Sequence, residues 1–398
     1  MIINLIVTTL IIGRFGYDIS CFSMFIALGN INIGFVILST VLLPLLYWIS
    51  GFEFNLSYIL WIVEIVLLYL FICYNMFIFF MLFELCMLFM LYLVLLCSTS
   101  CYKIRASYYL YMFSCLSCYS YCCCVFVIYV LVILYLELCI LVLVILVLLT
   151  FGIKIPVWPF HDWLYIVHGE SSTSISLLLG GLMLKLGIFA LIRYVLPLLY
   201  MGLRYLCCLL LILVFVGIVL VLISLYIMFD VKIIIALYSV SHMNLTSASI
   251  FTLSYSGFVC GIMTSIAHGF CSICLFLFAG YVMNKTCSRF VDSLWFISAI
   301  LRIMLFFLFL SNISFPATIN FIGEILAFLS LSQLDFILTI LTLIINASLS
   351  TSLSFLLLNR KISYYSLHFH LSLFEFIVLS SILLLITSPG LFIFIFYL

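Results

Sequence analysis

Charge is what this sequence has least of. Only 6% of its 398 residues are Asp, Glu, Lys or Arg, against about 25% in a typical soluble domain. Hydrophobic residues make up 69% and the mean hydropathy is +1.54. A separate soluble domain is thereby excluded, and no nucleic-acid partner is expected. Recognisable nucleotide loops are missing as well. There is no Gly-x-Gly-x-x-Gly opening a helix, no Gly-Lys-Ser/Thr phosphate loop and no Cys-rich cluster motif. Proline is rare, at 6 residues, so two prolines close together in an apolar stretch form a local event.

Cysteine, by contrast, is abundant, at 17 residues, yet its setting argues against metal binding and disulfides. Cys115, Cys118, Cys122, Cys123 and Cys124 lie in a Tyr/Ser-rich helix without nearby histidine, and free cysteine behaves as a small buried hydrophobe. His161 and His168 stand beside acidic residues and are not spaced as paired axial haem ligands. No metal or redox cofactor is expected in this chain.

What is present is a series of long apolar runs. Membrane β-strands alternate apolar and polar faces, whereas runs of about 20 apolar residues read as transmembrane helices. Candidate spans fall near 2–28, 31–50, 56–74, 76–97, 108–130, 131–166, 174–197, 205–228, 232–254, 257–283, 295–330, 336–358 and 372–397. The expected fold is therefore an all-α polytopic membrane protein of about 13 transmembrane helices, within a range of about 12–14. Lys103, Arg105, Lys232, Lys285, Arg289, Arg360 and Lys361 lie in loops of one parity, whereas Arg204 and Arg193 mark the other. The positive-inside rule puts the first set on the cytoplasmic or equivalent side. No cleavable leader is expected, because the first residues lack a basic start and a small-residue cleavage site.

A lysine stands where one of these runs breaks. The uncharged stretch Leu138 to Gly152 leads into Ile153-Lys154-Ile155-Pro156-Val157-Trp158-Pro159-Phe160-His161-Asp162-Trp163. Charge at the bilayer centre is disfavoured by roughly 3 kcal/mol on insertion scales. Proline frees carbonyls that only protein or a hydrated cavity can satisfy. Taken alone, Lys154 also fits a side chain snorkelling to the interface.

Other ionisable groups share that setting. Glu84 and Lys185 fall near the middle of their apolar runs, His268 sits in Ile-Ala-His-Gly-Phe, and Glu324 follows Phe-Ile-Gly. Glu64 and Glu137 read as helix–helix polar contacts or interfacial residues. For Glu84 and Lys185 the plain structural reading is an ion pair that locks packing. A second interruption at Asn312-Ile313-Ser314-Phe315-Pro316-Ala317-Thr318-Ile319-Asn320 stands just before Glu324. Interrupted helices at corresponding places in two halves are the sequence sign of an inverted-repeat transporter. The expected organisation is peripheral helices over 1–74, a first repeat over 75–197 with its break at Lys154–Pro156, a second repeat over 202–360 broken near Pro316, and a terminal helix over 361–398.

The stretch G-I-K-I-P-V-W-P-F-H-D-W-L-Y-I-V-H-G-E-S-S, followed by L-L-L-G-G-L-M-L-K-L-G-I-F-A-L-I-R-Y, resembles the antiporter-like membrane subunits of proton-pumping NADH:ubiquinone oxidoreductase, respiratory complex I. D-V-K-I-I-I-A-L-Y-S-V-S-H-M from Asp230, I-A-H-G-F around His268 and N-K-T-C-S-R from Asn284 continue the match. P-A-T-I-N-F-I-G-E from Pro316 ends in the glutamate that distinguishes one of three paralogues. The resemblance implies an antiporter-like fold and proton translocation coupled to redox chemistry elsewhere. It implies Glu84 as partner of Lys154, Lys185 as the central lysine and Glu324 as the terminal exchanging group. His161, His168 and His268 would carry the path between them, with Lys232 and His242 as further members. NADH, FMN, iron–sulfur clusters and ubiquinone would belong to other subunits of the complex. Partners would be the paralogous subunits 2 and 5, accessory subunits and lipids such as cardiolipin, in the mitochondrial inner membrane. Two other readings stand beside this one: a subunit of a multisubunit cation/proton antiporter, and a non-pumping membrane scaffold.

Overall fold

The computed structural model describes residues 30–49, 54–73, 75–97, 102–134, 137–196, 204–291, 299–316 and 318–333. Apolar runs without internal polar partners fold as helices because a helix satisfies its own backbone in lipid, and no strand pairs into a sheet among the described residues. In chain order the helices are α1 (Asn30–Ile49), α2 (Phe54–Ile72), α3 (Met76–Cys97), α4 (Lys103–Leu134), α5 (Glu137–Lys154) and α6 (Asp162–Glu170). They continue as α7 (Thr173–Val195), α8 (Arg204–Ile227), α9 (Val231–Phe251), α10 (Tyr255–Thr286), α11 (Ala299–Asn312) and α12 (Ile319–Ser332).

Five of these helices, α3, α7, α8, α9 and α10, are long and apolar enough to cross a membrane. They coincide with the expected spans 76–97, 174–197, 205–228, 232–254 and 257–283. The spans expected at 2–28, 336–358 and 372–397 lie outside the described residues, as does the terminal segment 361–398. One boundary moves. α4 continues to Leu134, past the junction expected between 130 and 131, because Leu131 to Leu134 is as apolar as the residues before it and hydropathy marks no boundary there.

α7, α9 and α10 are buried along nearly their whole length, whereas α3 and α8 turn about half of their surface outward. α10 packs most extensively on α12 and α9, α8 lies along α9, and α4 lies along α5. Among the described residues, the helices that carry Lys185, His242 and His268 are thus the most deeply buried of the long helices. α7 contains two wider π turns, Leu179–Met183 and Leu191–Val195, on either side of Lys185. π turns shift the backbone ladder and occur often at functional sites.

Both helix interruptions are compensated locally. Pro156 has no N–H to donate, and the Val157 N–H bonds Gly152 O at 3.0 Å, while the Trp163 indole N–H reaches Ile153 O at 3.1 Å. Around Pro316, the Phe315 N–H bonds Leu310 O at 3.0 Å and the Asn320 amide donates to Ser311 O at 2.9 Å. The single apolar run expected over 295–330 is in this way divided into α11 and α12.

Gly187 lets α7 approach the first break. A Cβ there would stand 2.8 Å from Ile155 Cγ1 and 3.4 Å from the Lys154 carbonyl carbon. A Gly187→Leu variant is expected to lose about 1–3 kcal/mol through overpacking. A lower thermal midpoint of the protein in mild detergent, with a smaller loss for Gly187→Ala, is the result to look for.

Candidate functional site

Among the described residues, two clusters of ionisable side chains lie in the helical interior. In the first, Lys154 closes α5, where the helix dipole favours a cation. Its Nζ lies 3.0 Å from Glu84 Oε1 on α3, and the two side chains are 3% and 18% exposed. The Ser117 hydroxyl on α4 lies 3.2 Å from the same carboxylate oxygen and 2.7 Å from Ser114 O, which share its one proton, and the ammonium stands 4.6 Å above the Phe83 ring. A snorkelling lysine would hold its amine at the surface; Lys154 directs it inward to a carboxylate.

The second cluster is built on α7, α9, α10 and α12. Lys185 is fully buried, and its Nζ donates to the carbonyl of Gly180 in the first π turn. The same Nζ lies 3.1 Å from His268 Nδ1 on α10. The hydroxyl of Ser272, one helical turn beyond His268, lies 2.9 Å from Gly269 O and 3.3 Å from Gly180 O, which share its one proton. The His268 ring faces that of His242 on α9 with centroids 5.2 Å apart. His242 Nδ1 in turn lies 3.6 Å from Glu324 Oε1 on α12, which is 9% exposed as a residue. Lys185, His268, His242 and Glu324 therefore form one file of neighbours across four helices. His242, which the sequence ranks as a further member, supplies the contact between His268 and Glu324.

Among the described residues, no hydrogen bond or ion pair joins Lys154 to Lys185. The clusters adjoin through Cys86 Sγ and Met183 Sδ, 3.9 Å apart, and through the close packing at Gly187.

His168 and Lys232 are placed on a third side. The His168 ring is buried and stacked on Phe276 with centroids 4.6 Å apart. It lies against Gly180, and both of its ring nitrogens lack a hydrogen-bond partner among the described residues. Lys232 is 2% exposed and donates to Ser171 O at 2.8 Å. Next to it, Arg289 donates to Gly169 O at 2.6 Å and lies 3.4 Å from Glu170 Oε2. The Val231 N–H bonds Arg289 O, which brings the start of α9 and the end of α10 to one end of the molecule. There burial pushes the Asp230 carboxyl up, and the Arg289 guanidinium opposes the shift. His161 makes its contacts instead with Asp162 at 3.6 Å and with the Tyr165 ring. Glu64 is buried on α2.

Sequence reasoning missed Ser117, the Gly180 carbonyl and the capping side chains of Trp163 and Asn320. Ser117 lies 33 positions from Glu84 with no local pattern to link them. Asn320 carries a readable signal, since it precedes Glu324 by four residues and helical neighbours at that spacing share a face. Among the described residues, no group of three or more His, Cys, Asp and Glu side chains is arranged to hold a metal ion.

A family model described as "NADH:quinone oxidoreductase/Mrp antiporter, TM" matches residues 73–351. The NADH-ubiquinone oxidoreductase chain 4 of Chondrus crispus is 31% identical over 255 residues, which is 61% of this chain and 51% of that relative. The chain spans about half or less of the curated relatives it matches, with 38% of the Acanthamoeba castellanii chain 4 covered at 35% identity. In fold, it is similar to a chain of respiratory complex I from Thermus thermophilus with TM-score 0.82, 21% identity and coverage of 92% of this chain and 82% of that one. The Mrp complex from Dietzia sp. DQ12-45-1b contains a chain similar at TM-score 0.71 and 15% identity, covering 83% of this chain and 66% of that one.

Proposed function

Because this chain belongs to the NADH:quinone oxidoreductase/Mrp antiporter transmembrane family, we propose that it is a proton-translocating membrane-arm subunit of a complex I, in the position of subunit 4. The observation that carries this reading is the file Lys185–His268–His242–Glu324, ending at a carboxylate one turn beyond a broken helix. Every member exchanges protons, and the file is enclosed by apolar helices that keep bulk water out. Curated relatives named chain 4 and the glutamate at position 324 favour this paralogue over the other two.

The Glu84–Lys154 pair is the input to the relay. A carboxylate about 4 Å from an ammonium stabilises it by roughly 4 kcal/mol at an effective dielectric of about 20, equivalent to about three pKa units. Loss or movement of the carboxylate's charge therefore switches the proton affinity of the amine. A disturbance from the redox arm alters this pair, and a proton then advances from Lys154 towards Lys185 and through the histidines to Glu324. The seam at Cys86, Met183 and Gly187 is the gap that the disturbance has to bridge. His168 and Lys232 lie beside Gly180 and Ser171, suited to supplying protons to Lys185 from the end where Arg289 and Glu170 meet. His161 belongs to the mouth of the first break.

The two repeats are 75–197 and 202–360, and the matching hydrogen bonding of their breaks supports that division. NADH, FMN, iron–sulfur clusters and ubiquinone act in companion chains, and this chain contributes translocase activity without a redox step of its own. The neighbours are the paralogous subunits 2 and 5, with accessory subunits and cardiolipin, in the mitochondrial inner membrane. Purification in mild detergent tests the assignment. Companion flavin and iron–sulfur proteins are expected. A complex composed of antiporter-type subunits alone would favour the second reading, a cation/proton antiporter, to which the likeness to the Mrp complex lends support.

Ser117 adjusts the input pair. Ser117→Ala removes a hydroxyl shared between the Glu84 carboxylate at 3.2 Å and Ser114 O at 2.7 Å, so a loss of about 0.5–1.5 kcal/mol is expected. A lower thermal midpoint and slower coupled turnover, with NADH oxidation by ferricyanide unchanged, are expected in the assembled complex.

A further inference from the structure

The two breaks are resolved by the same arrangement of hydrogen bonds, and neither of the side chains that completes it is a proton carrier. At the first, the Val157 N–H reaches back to Gly152 O and passes over Ile153 O, which the Trp163 indole N–H takes from ten residues along the chain. At the second, the Phe315 N–H reaches back to Leu310 O and passes over Ser311 O, which the Asn320 amide takes from nine residues along. An ordinary helix would fill each skipped carbonyl from its own ladder. Left empty inside a membrane protein, it would be strongly unfavourable.

Each tie also ends next to an ionisable group. Ile153 immediately precedes Lys154, and Asn320 stands one helical turn before Glu324 on the same face of α12. Trp163 is buried on α6 and Asn320 is buried on α12, so each donor belongs to the helix after the break and its acceptor to the helix before it. Ser311 is anchored in turn, its hydroxyl lying 3.3 Å from Cys271 Sγ on α10, the helix that carries His268. We infer that Trp163 and Asn320 are positioning residues, a matched pair of side-chain clasps that hold Lys154 against Glu84 and Glu324 against His242. The inference rests on the relay reading above. It adds that the two ends of the relay are registered by the same device, repeated in the two halves of the chain.

Proton transfer falls steeply with misplacement, by about a hundredfold for roughly 1 Å at a reacting centre. Trp163→Phe and Asn320→Leu remove the donor while keeping most of the shape; Trp163→His and Asn320→Gln keep an N–H. Each is made in the whole complex in closed vesicles. Proton translocation driven by NADH is measured there, with ferricyanide-linked NADH oxidation reporting how much complex is present. The donor-less variants are expected to translocate about tenfold more slowly at equal ferricyanide rate, and the donor-keeping variants to regain most of that loss. Donor-less variants that assemble and translocate at the unaltered rate would overturn the inference. So would donor-keeping variants as impaired as their partners, or the failure of both kinds to assemble, since the side chains would then serve packing alone. Glu324→Gln in the same vesicles separates the two layers. If it translocates normally, the relay itself falls; if it is blocked while Asn320→Leu is not, only the clasp falls.

Discussion

Lys185→Met in the assembled complex is expected to lower coupled proton translocation by roughly 10²–10⁴-fold, the usual cost of deleting a positioned proton-transfer group. The substitution suits the site because methionine matches the lysine stem in length and is apolar. Lys185 is buried to 0% exposure within α7, so the variant removes a charge without leaving a cavity. The Gly180 carbonyl loses the lysine donor and keeps the Ser272 hydroxyl 3.3 Å away, and the variant is expected to fold. Ferricyanide-linked NADH oxidation, which bypasses the membrane arm, should stay unchanged. Lys185→Arg is also expected to fail, because the guanidinium keeps the charge but does not release its proton at physiological pH. Translocation at the unaltered rate in the methionine variant would move this chain to the scaffold reading.

The Glu84–Lys154 pair separates stability from function. Glu84→Gln leaves the Lys154 ammonium without its 3.0 Å partner, and breaking a buried pair from one side costs roughly 3–5 kcal/mol. The lower end applies, since Glu84 retains 18% side-chain exposure and Phe83 still offers its ring face to the cation. The single variant should therefore show a lowered thermal midpoint and poor accumulation. Glu84→Gln combined with Lys154→Met removes both charges and should recover most of the stability, because a buried pair is often replaceable by apolar side chains without loss. Proton translocation should stay low in the double variant. If stability and translocation recovered together, the pair would serve packing only.

How much of this is legible in the sequence follows from where charge is costly. Lys154, Lys185, Glu84 and Glu324 stand out because each is an isolated ionisable group in an apolar run, and the prolines at 156 and 316 mark the breaks beside two of them. The partners across helices are not legible in the same way. Glu84 meets Lys154 across 70 positions of chain, by subtraction of the numbers at the two ends of the pair, and no local period records such a contact. His242 lies in a Ser/Thr-rich helix where polarity is ordinary, so its central place between His268 and Glu324 emerges only from the packing of α9, α10 and α12. Backbone acceptors such as Gly180 O have no sequence signature at all. The junction between α4 and α5 is displaced from its expected place because Leu131 to Leu134 is as apolar as the residues before it, and hydropathy gives no boundary there.

The central claim is that protons pass along the file from Lys185 to Glu324, and His242 is the link on which its continuity depends. The most direct measurement is the proton-to-electron ratio in closed vesicles carrying the His242→Phe complex beside the unaltered one, since phenylalanine keeps a ring between His268 and Glu324 but cannot carry a proton. A lowered ratio, with the ferricyanide-linked rate unchanged, is the predicted result. An unchanged ratio in fully assembled complex would contradict the relay.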